Sequence, residues 1–416
     1  MTPRPRGRCG LRRRTGRLRA AALLAAALVL PGAGPATAAD GQKVRLPVMP
    51  ARLEAGDPCT GGSKARATAV PWEQQNLQLA RTWAFGKGAG VKVAVVDTGV
   101  STDAPTLAGR VSVVGGAGTD CVGHGTFVAG LIAAAPAENV RVAGVAQESR
   151  IIAVRGTDER GTATAASVAA GIRAATDAGA KVVQVSPALA SGSPALASAV
   201  RYAAAHDALI VAAATPDPMR SSPGREPEPP RDYWPASAPG VLSVIDMDSR
   251  GARPDNAPAT LGADLAAPGD GVVGVGPRGG GHFIGSGASF AAAYAAGTAA
   301  LVRSAHPELS AAATARRLTR TAYPADLPHL DPYAAVTSVQ DPAEHTRAER
   351  DDSVVLPPGN GSEGATRRAV WITVAGGSLA LLVAWAALIV PRGRSRGWRP
   401  AARRRVAGAG TATPGD

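Results

Sequence analysis

Between Val91 and Thr321 the chain alternates short apolar runs rich in β-branched residues with longer alanine-rich stretches, and this alternation restricts the fold more than any other feature. Val91–Asp97, Arg150–Arg155, Lys181–Ser186, Ala208–Ala214 and Val241–Asp246 read as buried strands, while Thr164–Gly179, Pro194–Asp207, Ser289–His306 and Ser310–Thr321 read as helices. Strands without a polar face must be covered on both sides, and strands separated by helices pair in parallel. The expectation is an α/β domain of three layers with a mainly parallel central sheet.

Both ends of the chain lie outside that pattern. Eight arginines between Arg4 and Arg19 precede an apolar run, Ala20–Leu30, and a small-residue stretch ending at Ala38-Ala39. That order is the order of a signal peptide, and the apolar run is too short to span a bilayer. Near the other end, Ala369–Val390 carries no charge. A helix of that length rises about 33 Å, enough to cross a membrane. Seven arginines from Arg392 to Arg405 follow it and would hold the tail in the cytoplasm, leaving the rest of the chain outside. The expected division is a signal peptide at 1–39, an N-terminal extension at 40–80, a globular domain at 81–340, a linker at 341–368, a membrane helix at 369–390 and a basic tail at 391–416. Asp40–Pro71 reads as extended chain over the domain surface, Pro216–Asp232 as a long surface loop, and Asp341–Thr366 as a stalk.

The formal charge of +13 is concentrated at those ends, eight positive charges in the first segment and seven in the last. The domain between them is near neutral and lacks the basic face of a nucleic-acid binder. No internal repeat and no metal-ligand cluster is visible, and no cofactor is expected. Of three cysteines, Cys9 falls in the signal segment. An exported domain would pair Cys59 with Cys121, the alternative being two separate buried thiols.

Three segments carry chemistry. Val91 to Val100 sets Asp97 at the carboxyl end of an apolar strand, followed by Thr98-Gly99; open α/β sheets place their sites at that edge. Alone this is only a turn signal. Gly123-His124-Gly125 opens a helix expected from about Thr126, with glycines that let another backbone approach the imidazole. Gly285-Ser286-Gly287-Ala288-Ser289 sets a serine at the start of a small-residue helix, where the helix dipole favours an oxyanion. Alone, Ser289 would pass for an N-cap.

Taken together, in the order Asp, His, Ser and with these flanks, the segments resemble the subtilisin family from about Pro71 to Val336. More narrowly the chain resembles the mycosins, membrane-anchored subtilases of actinobacterial type VII secretion. That likeness is carried by Asp120-Cys121-Val122-Gly123-His124, Pro71-Trp72-Glu73-Gln74, Tyr233-Trp234-Pro235-Ala236-Ser237-Ala238-Pro239-Gly240-Val241, Leu265-Ala266-Ala267-Pro268-Gly269 and the C-terminal anchor. The resemblance implies a subtilisin-like fold, protein substrates, type VII secretion membrane components as partners, and acyl transfer by Ser289, His124 and Asp97. It also implies that Ser186-Pro187-Ala188 pairs with an extended substrate.

The likeness fails in places. The family ends one strand in an alanine run followed by Gly-Asn, whose asparagine supplies half of the oxyanion hole. Here Thr215 stands for the glycine and Pro216 for the asparagine, and proline cannot donate at all. Ala288 replaces a threonine, Ala293 a proline, and Ser186-Pro187-Ala188 a Ser-Leu-Gly segment. The resemblance therefore implies either a slow serine endopeptidase, since one missing donor lowers turnover on the order of 10²–10³, or a scaffold that keeps the fold with little activity.

Overall fold

The computed structural model describes residues 44–137, 140–218, 229–255, 257–339 and 361–397. The expected signal segment at 1–39, residues 219–228 of the expected surface loop, residues 341–360 of the linker and the tail beyond 397 lie outside the described residues. The described residues up to Val339 form one compact unit, and the described residues from 361 belong to another.

The first unit is built on seven parallel strands. In chain order they are β1 (Lys92–Asp97), β2 (Val111–Val113), β3 (Arg150–Arg155), β4 (Val182–Val185), β5 (Leu209–Ala213), β6 (Leu242–Met247) and β7 (Leu265–Pro268), arranged β2-β3-β1-β4-β5-β6-β7. Along β1, alternate side chains part company. Val93 and Val95 join a core shared with α3 (His124–Ala133) and α6 (Ala288–Ala305), while Ala94 and Val96 join a second core under α4 (Ala165–Asp177) and α5 (Pro194–Ala205). The same division runs through β3, with Ile151 and Ala153 on one side and Ile152 and Val154 on the other. This is the period-2 consequence of a sheet covered on both faces, so the three-layer α/β expectation holds.

Helix ends follow their residues. Thr164 caps α4 with a reciprocal Thr164–Ser167 capping box, Ser193 caps α5 with Pro194 in its first turn, and Ser310 caps α7 (Ala311–Arg320). Sixteen of the eighteen residues of α6 are buried, from Ala288 to Arg303. Its alanines let it lie close against the sheet, and a Cβ at Gly297 would meet Val145 at 2.7 Å.

Two sets of elements were not expected. The edge strands β2 and β7 are short and weakly apolar, and β8 (Val272–Val275) and β9 (His282–Gly285) form a separate antiparallel hairpin interrupted by glycine. Short helices α1 (Trp72–Asn76), α2 (Leu79–Thr82) and α8 (Pro332–Thr337) complete the unit. The described part of the segment before α1 has no helix and no strand, only an isolated bridge from Val48 to Ile284. It runs beside the hairpin, where Met49 donates to the Ile284 carbonyl at 2.8 Å, Ile284 to Pro47 at 2.9 Å and His282 to Ala65 at 2.7 Å. Cys59 and Cys121 form a disulfide, excluding the two-thiol alternative.

In the second unit, α9 runs from Gly361 to Ser395 and takes in the last residues of the expected linker and the first of the expected tail. Its segment Arg368–Ser395 is long and apolar enough to cross a membrane.

Candidate active site

Asp97 ends β1, His124 opens α3 and Ser289 lies in the first turn of α6. All three reach the carboxyl edge of the sheet and all are buried. His124 Nδ1 lies 3.0 and 2.9 Å from the two Asp97 carboxylate oxygens, and His124 Nε2 lies 3.1 Å from Ser289 Oγ. The helices bearing the imidazole and the hydroxyl are locked by Phe127 against Phe290, with ring centroids 4.8 Å apart, and Phe290 also lies 5.0 Å from the imidazole.

Glycine makes the approach of α3 to β1 possible. A Cβ at Gly125 would collide with the Gly99 carbonyl and come within 3.0 Å of Asp97 Cβ, and Gly123 holds φ +91° at the N-cap. The α3 helix begins at His124 itself, two residues before the expected start.

Asp120 ties this region together. Its carboxylate accepts from the Gly123 and Thr126 backbone N–H groups at 2.7 and 2.8 Å, and from the Thr98 and Thr126 hydroxyls at 2.8 and 2.7 Å. The Gly125 N–H in turn donates to Thr98 Oγ1 at 3.0 Å. Asp120 belongs to the Asp-Cys-Val-Gly-His run but had no assigned role; the signal for it was a carboxylate just ahead of a helix N-terminus.

Burial by itself raises the Asp97 carboxyl; the charge of His124 and bonds from His124, Ser186 and Thr98 outweigh it and hold Asp97 below its ordinary range. Burial opposes the imidazolium of His124, but the charge of Asp97, together with bonds and charge from Asp217, lifts it well above its ordinary value. Ser186, expected to bind substrate, directs its hydroxyl to Asp97 Oδ2. Pro187 and Ala188 are half-buried just beyond β4. Gln184 of β4 joins the two sides of the site, donating to Ser186 Oγ at 3.0 Å and to the Ser289 carbonyl at 3.3 Å.

One residue escaped the sequence reading. The Asp217 carboxylate enters the site beyond β5: Oδ1 accepts the Ser289 backbone N–H at 3.0 Å, and Oδ2 lies 2.9 Å from His124 Nε2 and accepts from Ser289 Oγ. Thr215 is fully buried, and its hydroxyl has no hydrogen-bond partner among the described residues. Asp217 lies four residues beyond the end of β5, in the segment expected to be a surface loop, and no local sequence signal marked it.

Residues 88–354 match the model of the subtilase family, Peptidase S8. Mycosin-4 of Mycobacterium tuberculosis is 32% identical over 403 residues, covering 84% of this chain and 89% of its own length. Among solved structures, MycP1 from Mycobacterium smegmatis is similar with a TM-score of 0.61 at 25% identity, over 71% of this chain and 93% of that one. A chain in the periplasmic assembly from the ESX-5 inner membrane complex reaches a TM-score of 0.62 at 28% identity, over 75% of this chain and 94% of that one. With well over half of its length inside the family model and a mycosin matched along most of both chains, this chain belongs to the subtilase family of serine proteases and, within it, to the mycosins.

Proposed function

We propose that the chain is a membrane-anchored serine endopeptidase that cleaves exported proteins through an acyl-enzyme formed on Ser289. The observation that supports this best is the hydrogen-bonded series Asp97, His124, Ser289 at the sheet's carboxyl edge. Ser289 Oγ attacks a peptide carbonyl, His124 Nε2 takes the proton and returns it to the leaving amine, and Asp97 holds the Nδ1 tautomer and balances the imidazolium. Water then repeats the sequence to release the acyl group. Pro187 and Ala188, at the rim of the site, would pair with an extended substrate.

The same reading gives the remaining segments their roles. Residues 1–39 act as the export signal, α9 anchors the chain with the domain at 81–340 outside the cytoplasm, and the arginine-rich end stays within. The disulfide keeps the extension at 40–80 covalently attached to the domain if the chain between them is cut. Structural similarity to a chain in the periplasmic assembly from the ESX-5 inner membrane complex supports an association with type VII secretion membrane components. A second reading, a scaffold of that assembly with little or no activity, is favoured by Pro216 in the place of the family's asparagine and by the carboxylate filling the site.

The test is a fluorophosphonate probe applied to the detergent-solubilised full-length chain beside Ser289→Ala. Labelling of the wild type that Ser289→Ala removes is expected. Equal reaction of both proteins, or of neither, would favour the scaffold.

A further inference from the structure

The Ser289 N–H, in the first turn of α6, is a donor of the kind that holds an oxyanion, and Asp217 already occupies it. Access for the carboxylate depends on glycine, since a Cβ at Gly287 would collide with Asp217 Oδ1. The Asp217 side chain is only 8% exposed. Among the described residues, the titratable groups around it are His124 from α3 and Asp246 of β6, which is paired with Arg253; Asp97 lies beyond the imidazole. Burial raises Asp246, Arg253 pulls it back, and the charge of Asp217 adds to the rise.

We propose, building on the peptidase reading, that Asp217 takes the place of the missing amide in the oxyanion pocket, closing it as a carboxylate and serving it as a neutral acid. The contact between His124 Nε2 and Asp217 Oδ2 spans 2.9 Å and holds one proton. With that proton on His124, the imidazolium cannot act as a base and Oδ1 fills the position a carbonyl oxygen needs. With the same proton on Asp217, rotation of the carboxyl group away from Nε2 frees the imidazole for Ser289 Oγ and turns the O–H into the pocket as a donor. When a substrate carbonyl displaces Oδ1 from the Ser289 N–H, the Oγ–C bond forms and the hydroxyl proton passes to Nε2. The carbonyl π electrons move to an oxygen held by the Ser289 N–H and the Asp217 O–H. Collapse then breaks the C–N bond, and the Nε2 proton leaves with the amine.

Because both forms share one proton, the working state exists only between loss of that proton and gain of a second. The rate of labelling by a fluorophosphonate against pH should therefore be bell-shaped for the full-length wild type. Asp217→Asn and Asp217→Ala should lose the alkaline limb and rise to plateaus. The asparagine variant should label faster than the alanine one by on the order of 10²-fold, the worth of one such donor. The downfield Nδ1 proton of the His124 imidazolium, followed by NMR, should persist to higher pH in the wild type than in Asp217→Asn. An alkaline limb at the same pH in all three proteins, or an asparagine variant no faster than alanine, overturns the proposal. If the imidazolium signal shifts as expected but no variant is labelled, the peptidase reading fails while Asp217 keeps its place in the pocket. If labelling depends on Ser289 throughout but neither the limb nor the NMR signal moves, the role given to Asp217 fails alone.

Discussion

The two sides of the site are built differently. On the side of His124, the proposed base, the residues next to it and to Asp97 are held by Asp120, whose carboxylate gathers four donors from Thr98, Gly123 and Thr126, and the disulfide at Cys121 closes the loop just ahead of the imidazole. On the side of Ser289, beyond β5, come a Thr215 hydroxyl with no partner among the described residues, a proline, and one carboxylate bonded to Ser289 and facing His124. A geometry fixed by several mutually supporting bonds survives the loss of one. A geometry fixed by a single residue changes with that residue's protonation. Positioning of the proposed base is thus structural, whereas the proposed oxyanion pocket hangs on Asp217 alone.

The largest expected effect tests the first half of that contrast. Asp97→Asn keeps the shape and the neighbours but cannot hold the required tautomer, so labelling or turnover should fall by on the order of 10⁴ with little change in thermal stability. A variant that loses its fold along with its activity would mean that the Asp120 network does not hold this side of the site without the Asp97 charge.

Removing the disulfide by Cys59→Ser with Cys121→Ser comes next. The two cysteines are 62 residues apart. A loop of that length restricts the unfolded chain enough for the bond to contribute about 4 kcal/mol. Denaturant unfolding should record the loss, while labelling measured well below the transition keeps its pH profile, because Asp120 still orders the turn. A changed profile would show that the bond, rather than the carboxylate, sets the imidazole.

What could be read from the residues follows the same division. The places of His124 and Ser289, the proposed base and nucleophile, were legible because each is marked by local backbone demands: glycines around His124 where β1 and α3 touch, and small residues where α6 lies buried against the sheet. The central strands were legible because their apolar runs admit no exposed face. Asp217 was not legible, because the family's asparagine is located by counting from β5, and that count falls on Pro216; the chain turns the next side chain inward instead. Strands β2, β7, β8 and β9 escaped for a related reason. They are three or four residues long and take their stability from neighbours distant in sequence, such as the stretch 47–65 beside β9.

A buried carboxyl that meets α6 at Tyr294 gives a smaller effect with a definite sign. Glu73 of α1 accepts from the Val273 backbone N–H at 2.9 Å and interacts with Tyr294 of α6. Burial pushes its pKa from 4.5 up to about 7 against the pull of those bonds. The folded chain therefore binds this proton more tightly than the unfolded chain. The resulting stabilisation is present below about pH 4.5 and is lost as the pH rises through 7, a change of about 3 kcal/mol. His124, also raised on folding, acts in the same direction, so the useful quantity is the difference between wild type and Glu73→Gln. Unfolding measured from pH 4.5 to 8 should show a flatter dependence in the variant. Parallel curves would mean that Glu73 is solvated and does not tie α1 to α6.

The smallest expected effect separates Thr215 from Asp217. Thr215 precedes the proline and could in principle offer its hydroxyl to an oxyanion, yet it is fully buried and its hydroxyl has no partner among the described residues. Burying a hydroxyl without a hydrogen bond carries a desolvation cost, so Thr215→Val, which keeps the shape and removes the polar atom, should leave stability unchanged or raise it by about 1 kcal/mol. Ser289-dependent labelling should be unaffected over the whole pH range. A drop in labelling without a drop in stability would assign the pocket's second donor to Thr215. The alkaline limb would then need another source, and the one-proton account of Asp217 would lose its reason.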